Sequence, residues 1–116
     1  MSTRAAVATW AVQRVTAAIL AIAVTVHLVT LVNAVRGGLS GYEIVSRLSG
    51  HDGWLAFYAV FAIAAAVHGA IGLRAMACES PGFSPRLATA AAVAFALFVS
   101  WLGLRAALGL YGASAL

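Results

Sequence analysis

The chain has 116 residues, of which 64% are hydrophobic and only 9% are charged, and its formal net charge is +4. A water-soluble domain usually carries about a quarter charged residues, so this composition excludes a water-covered surface and indicates a membrane protein. The seven basic residues are all arginines, and they lie near the ends of the apolar stretches. This placement favours contact with anionic lipid and argues against a basic face that binds nucleic acid.

Three apolar stretches are long enough to cross a membrane. They comprise residues 9–35, 54–77 and 87–111, and each exceeds the roughly 20 residues that span about 30 Å of hydrocarbon as a helix. Backbone groups in lipid must be hydrogen-bonded within the segment, so each stretch is predicted to be helical. We therefore expect an all-α membrane protein with one transmembrane domain over residues 1–116.

The connectors contain residues that end helices. The first, residues 36–53, is rich in glycine and polar residues, and residues 41–48 fit a short surface helix. The second, residues 78–86, holds both prolines of the chain and ends the second span. The N-terminal apolar run contains Arg14 and is too long for a cleaved signal peptide, so we predict an uncleaved first span.

The arginines also predict the orientation of the chain in a bacterial inner membrane. Four lie on the side of the N-terminus, two in the first connector and one in the third span: Arg4, Arg14, Arg74 and Arg86; Arg36 and Arg47; and Arg105. Basic residues are more frequent on the cytoplasmic side, so this distribution favours a cytoplasmic N-terminus. The lone Cys78 is predicted to be a free thiol, and His51 to be solvated or interfacial.

His27 and His68 are the most informative residues, because both lie at hydrocarbon depth. Polar residues there are costly and usually face the interior of a helical bundle. On a helical projection the face of His27 includes Gln13, Thr16 and Ala23, and that of His68 includes Phe61, Ala64, Ala65, Gly72 and Ala75. Small residues beside an imidazole leave room for a flat group such as a porphyrin. They also serve ordinary helix packing, with the imidazole as an interhelical hydrogen-bonding group.

Helix geometry predicts that the two histidines cannot share one iron. At the α-helical rise, His27 lies about 27 Å from the cytoplasmic end of its span and His68 about 14 Å, a difference in depth of about 13 Å. Two axial nitrogens on one iron are only about 4 Å apart, since each metal–imidazole bond is near 2 Å. If both histidines ligate haem, each needs a partner ligand from elsewhere.

Three motifs resemble those of a known family. QRVTAAILA (residues 13–21) resembles the start of the first helix in the small membrane anchors of succinate dehydrogenase, and HGAIGLR (residues 68–74) resembles their H-x-x-x-G-x-R motif. VHLVTLV (residues 26–32) instead resembles the first helix of the two-haem cytochrome b subunits of succinate dehydrogenases and fumarate reductases. The three-helix plan matches too, so the resemblance covers almost the whole chain.

The resemblance implies a membrane anchor subunit of succinate:quinone oxidoreductase. Such a subunit does not oxidise succinate, but passes electrons from the iron–sulfur subunit to quinone. The implied partners are that iron–sulfur subunit, the flavoprotein subunit, a second membrane anchor and the lipid bilayer. The three helices would form part of a haem-binding bundle with the second anchor, which would share one or two haems b.

The resemblance also implies roles for individual residues. His68 would be an axial ligand of the cytoplasm-side haem iron, and His27 of a haem nearer the outer face. Gly72, which has no side chain, would leave space for the haem macrocycle. Arg74 and Arg14 could pair with haem propionates or polarise a quinone carbonyl.

Three residues are predicted to contact quinone, namely Gln13, Arg14 and Thr16, with snorkelling or capping as the alternative for each. The alternative function for the whole chain is a non-redox membrane protein, such as a transporter subunit or an assembly partner. Small proton-coupled exporters typically need an acid within a span, whereas Glu43, Asp52 and Glu79 all lie in connectors. This placement argues against transport.

Overall fold

The computed structural model describes residues 2–113, which form four α-helices. They are α1 (Thr3–Arg36), α2 (Gly41–Leu48), α3 (Asp52–Glu79) and α4 (Pro85–Gly112). Helices α1, α3 and α4 are each long and apolar enough to cross a membrane. The predicted all-α membrane fold class is confirmed, and the short helix expected at residues 41–48 is present between the first two spans.

Serine side chains cap the starts of three helices. Ser2, Ser40 and Ser84 each accept a hydrogen bond from the backbone N–H three residues later, at 3.1–3.2 Å, which satisfies one of the free donors of the first turn. The cap at Ser2 explains why α1 begins at Thr3 rather than at residue 9. The apolar pattern marks only the part suited to hydrocarbon, while the helix itself continues into more polar sequence.

Helix α3 packs against both other spans, most extensively against α4. Two hydrogen bonds show that α3 and α4 are antiparallel. At the end near the N-terminus, Arg74 Nε donates to Thr89 Oγ1 at 2.9 Å. At the opposite end, the Tyr111 hydroxyl donates to Asp52 Oδ1 at 2.8 Å. Helices α1 and α3 are antiparallel as well, because Thr16 contacts His68 while His27, later on α1, contacts Tyr58, earlier on α3. The three spans therefore alternate in direction.

The core between the spans consists of small residues. Within residues 2–113, the buried hydrophobic side chains are all alanines: Ala23, Ala64, Ala66, Ala88, Ala92 and Ala107. A methyl group added at Gly69 would lie 2.7 Å from Phe95 Cε1, and one added at Gly103 would overlap the Ala62 methyl. Such residues let helix backbones approach closely in lipid, where helix association depends on close packing. In this part of the chain, the larger apolar side chains are half-buried or exposed.

Candidate functional site

Two side chains from one turn of α1, Gln13 and Thr16, contact His68. Its Nδ1 lies 3.2 Å from Thr16 Oγ1, and its backbone carbonyl accepts a hydrogen bond from Gln13 Nε2 at 3.3 Å. Thr16 is buried, with 8% of its surface exposed, and His68 is half-buried. The predicted shared face of Gln13 and Thr16 is therefore the face of α1 that meets α3. Both the ring and the backbone of His68 are anchored across that interface.

The side chain of Gln13 has a second notable feature. Its Oε1 is buried and has no hydrogen-bond partner within residues 2–113, although buried polar atoms in proteins nearly always have one. The same amide borders Gly72, because a Cβ on Gly72 would lie 3.8 Å from Gln13 Nε2. The space beside Gly72 that the sequence assigned to a flat cofactor is thus next to the Gln13 amide.

His27 forms a second polar contact between α1 and α3. Its Nδ1 lies 3.3 Å from the Tyr58 hydroxyl, and its ring makes edge contacts with Tyr58 and Phe61, at centroid distances of 6.0 and 5.8 Å. Two open grooves reach this histidine. One, of about 450 Å³, is also lined by Arg47 of α2, and the other, of about 460 Å³, lies between α3 and α4 and includes Gly103.

The two histidines lie at separate depths along the same interface. Phe61, which contacts His27, is seven residues from His68 on α3, or about 11 Å along the helix. Thr16, which contacts His68, is eleven residues from His27 on α1, or about 16 Å. These two distances bracket the 13 Å or so expected from the sequence. The structure thus contains two separate imidazole sites.

The other predicted site residues lie apart from the histidine rings. The Arg14 guanidinium packs over the Trp10 ring, with Cζ 5.4 Å from the centroid, and Arg74 donates to Thr89. Both arginines lie toward the end of the bundle that carries the N-terminus. Cys78 is an exposed free thiol near the end of α3. Within residues 2–113, no three His, Cys, Asp or Glu side chains come together in a way that could hold a metal ion.

Tyr58 and Thr89 were not predicted from the sequence, although each contacts a predicted site residue. Tyr58 lies one turn before Phe61 on α3, and Phe61 was correctly placed on the face of His68. The position of Tyr58 next to Phe61 was the sequence signal that could have identified it. The pairing of Tyr58 with His27 depends on how α1 and α3 are aligned along their axes, and a helical projection of one span gives no information about that alignment.

These features define the class of protein: a membrane-embedded bundle of three long helices, with two histidines at separate depths between the first two spans. A profile described as the succinate dehydrogenase/fumarate reductase transmembrane subunit matches residues 1–105. The chain belongs to this family, which confirms the resemblance drawn from its motifs. It is therefore a non-catalytic subunit of an oxidoreductase complex in the membrane. No curated protein and no solved structure gives a significant match to the chain.

Proposed function

We propose that the chain binds haem b, contributes to a quinone site and passes electrons from the iron–sulfur subunit to quinone in succinate:quinone oxidoreductase. The arrangement of His68 is the observation that carries the proposal. Its Nδ1 and its backbone carbonyl are both bonded to α1, while its Nε2 makes no hydrogen bond within residues 2–113. A ring anchored through one nitrogen can present the other to a metal.

The donor set fits haem. Metal-ligating histidines almost always use their other ring nitrogen to bond an oxygen group, and in this chain a hydroxyl lies at Nδ1 of both His68 and His27. Both grooves that His27 lines provide open volume beside that residue. A contact between haem and Gly72 would require the Gln13 amide to turn aside.

Haem b, when bound, supplies a one-electron carrier within the membrane. His68 would hold a haem near the cytoplasmic side, and His27 would hold a haem nearer the outer side. Because the two histidines are too far apart for one iron, the second ligand for each haem would come from the second anchor subunit. Arg14 and Arg74 would pair with propionates near the cytoplasmic interface, since guanidinium groups bind carboxylates well.

The quinone site is assigned to the same end of α1. The buried Gln13 Oε1 can accept a hydrogen bond from a hydroxyl, which quinol has and quinone lacks. Arg14 can donate to a quinone carbonyl. Thr16 is bonded to His68, so any contact of Thr16 with quinone would compete with that bond.

The proposed orientation places the N-terminus in the cytoplasm of a bacterium. The N-terminal ends of α1 and α4 and the C-terminal end of α3 carry four of the seven arginines, consistent with the cytoplasmic excess of basic residues. The turn between Ser80 and Ser84 would then face the iron–sulfur and flavoprotein subunits. His51, which is exposed at the start of α3, would face outward.

A second candidate is an anchor that binds no haem and uses its histidines only to join helices. The hydrogen bonds between Thr16 and His68 and between Tyr58 and His27 favour it, because such bonds also occur in purely structural roles. A reduced-minus-oxidised absorption spectrum of the purified complex distinguishes the two candidates. Absorption bands of b-type haem are expected. Their absence from a complex that retains flavin and all its subunits would refute haem binding.

A further inference from the structure

We propose that Thr16 is a positioning residue: it holds the His68 ring in the tautomer with the proton on Nδ1, and so leaves the lone pair of Nε2 for iron. The role of this lone pair rests on the haem-binding function proposed above. The tautomer itself follows from the hydrogen bonds of the chain and can be measured without haem.

The Thr16 hydroxyl has a single proton to donate. Oγ1 lies 2.8 Å from the carbonyl oxygen of Val12 and 3.2 Å from that of Gln13, and both carbonyls can only accept a hydrogen bond. It lies 3.2 Å from His68 Nδ1, which can donate or accept. Because the shorter bond uses the hydroxyl proton, the imidazole must donate to the hydroxyl oxygen. The proton of neutral His68 is therefore on Nδ1.

The surroundings strengthen this bond. Thr16 is buried, so water does not compete for its oxygen, and hydrogen bonds are electrostatically stronger in a low-dielectric interior. Gln13 holds the backbone of His68 from the same turn of α1. His68 is thus restrained by α1 both at its ring and at its backbone carbonyl, and these two bonds orient the ring without a bound ligand.

His27 provides a comparison within the same chain. Its Nδ1 lies 3.3 Å from the Tyr58 hydroxyl, and within residues 2–113 that hydroxyl makes no other hydrogen bond. Tyr58 can therefore donate to His27 or accept from it, and neither tautomer is imposed. Of these two histidines, His68 is the one whose partner hydroxyl already donates its proton to a backbone carbonyl, so that its free lone pair is fixed on Nε2.

The arrangement has a chemical consequence for a bound iron. Donation from Nδ1–H to an oxygen raises the basicity of the opposite nitrogen. A more basic axial ligand stabilises ferric iron more than ferrous iron, which lowers the reduction potential. Removing the Thr16 oxygen should therefore weaken haem binding and raise the potential of the haem ligated by His68.

The first test measures the tautomer directly. Nuclear magnetic resonance of the full-length chain, labelled with 15N-histidine in detergent micelles near pH 8.5, distinguishes the two neutral forms of His68. We expect the Nδ1–H form in the parent chain and in Thr16→Ser, and a shift toward the Nε2–H form in Thr16→Val. A parent chain with His68 in the Nε2–H form would overturn the proposal, whether or not the complex contains haem.

The second test uses the assembled complex. Thr16→Val keeps the shape of the side chain but removes its oxygen, and outer-sphere changes of this kind typically reduce metal affinity about 10–100-fold. If the ferric form loses tenfold more affinity than the ferrous form, the potential rises by about 59 mV. Thr16→Ser should restore both haem content and potential.

Thr25→Val is the matched control for these variants. Thr25 lies on the same helix, and among the described residues its hydroxyl bonds only to the Ala21 carbonyl, at 2.7 Å. This substitution should leave the haem potential unchanged. Equal potentials and equal haem content in parent and Thr16→Val would contradict the positioning role, while haem loss upon His68→Ala would still support ligation by His68.

Discussion

The contact between α3 and α4 at Gly103 gives the sharpest stability prediction. An added methyl at this position would overlap the Ala62 methyl, so the two helices must separate locally or rotate. Overpacking of this kind usually costs about 1–3 kcal/mol, while alanine is preferred over glycine within a helix by up to about 1 kcal/mol. Gly103→Ala is therefore expected to destabilise the fold by as much as about 2 kcal/mol after that offset.

Gly109 provides the matched control on the same helix, because a methyl group there meets no atom of the described residues within 4 Å. Gly109→Ala should be neutral or stabilising by up to about 1 kcal/mol. The difference between the two variants isolates the packing term and should be about 1–3 kcal/mol. It can be measured by unfolding the purified protein with sodium dodecyl sulfate and following circular dichroism. Equal stability of the two variants would refute the close approach of α3 and α4 at Gly103.

Three further predictions concern the histidines, topology and side-chain mobility. Tyr58→Phe should remove the hydrogen bond to His27 and weaken the α1–α3 interface by about 0.6–2 kcal/mol; unchanged stability in the same unfolding assay would contradict this contact. Cys78 should react with a membrane-impermeant thiol reagent in inside-out vesicles but not in intact cells, and labelling in intact cells would indicate the inverted topology. Gly69→Ala should cost less than Gly103→Ala, because the obstructing Phe95 ring is exposed and can move; an equal loss of stability would contradict that reasoning.

The membrane fold was predictable because the bilayer constrains sequence strongly. Uncharged stretches of sufficient length must be helical in lipid, and the serine, glycine and proline residues of the connectors mark the turns. The axial separation of His27 and His68 was also predictable, since the rise per residue of an α-helix is fixed. Even the face of α1 that carries Gln13 and Thr16 followed from the helical period alone.

The partners of the polar side chains were not predictable in the same way. The contact between Thr16 and His68 requires a specific axial alignment of two antiparallel helices, and a shift of one turn would give His68 another neighbour. The aromatic surroundings of His27 depend on the same alignment. The closeness of α3 and α4 at Gly103 depends on which small residues of the two helices face one another, and one helix alone does not specify this.

The most direct test of haem ligation is the ratio of haem b to flavin in the purified complex, measured for the parent, His68→Ala and His27→Ala. We expect two haems with separable potentials in the parent, because the two imidazoles differ in depth and surroundings. Haem potential responds to burial and hydrogen bonding. Each substitution should remove one haem and leave the other. Soluble dyes should still accept electrons from succinate in both variants. A ratio that is the same in His68→Ala as in the parent would contradict haem ligation by His68, and a parent ratio of one would exclude the separate haem at His27.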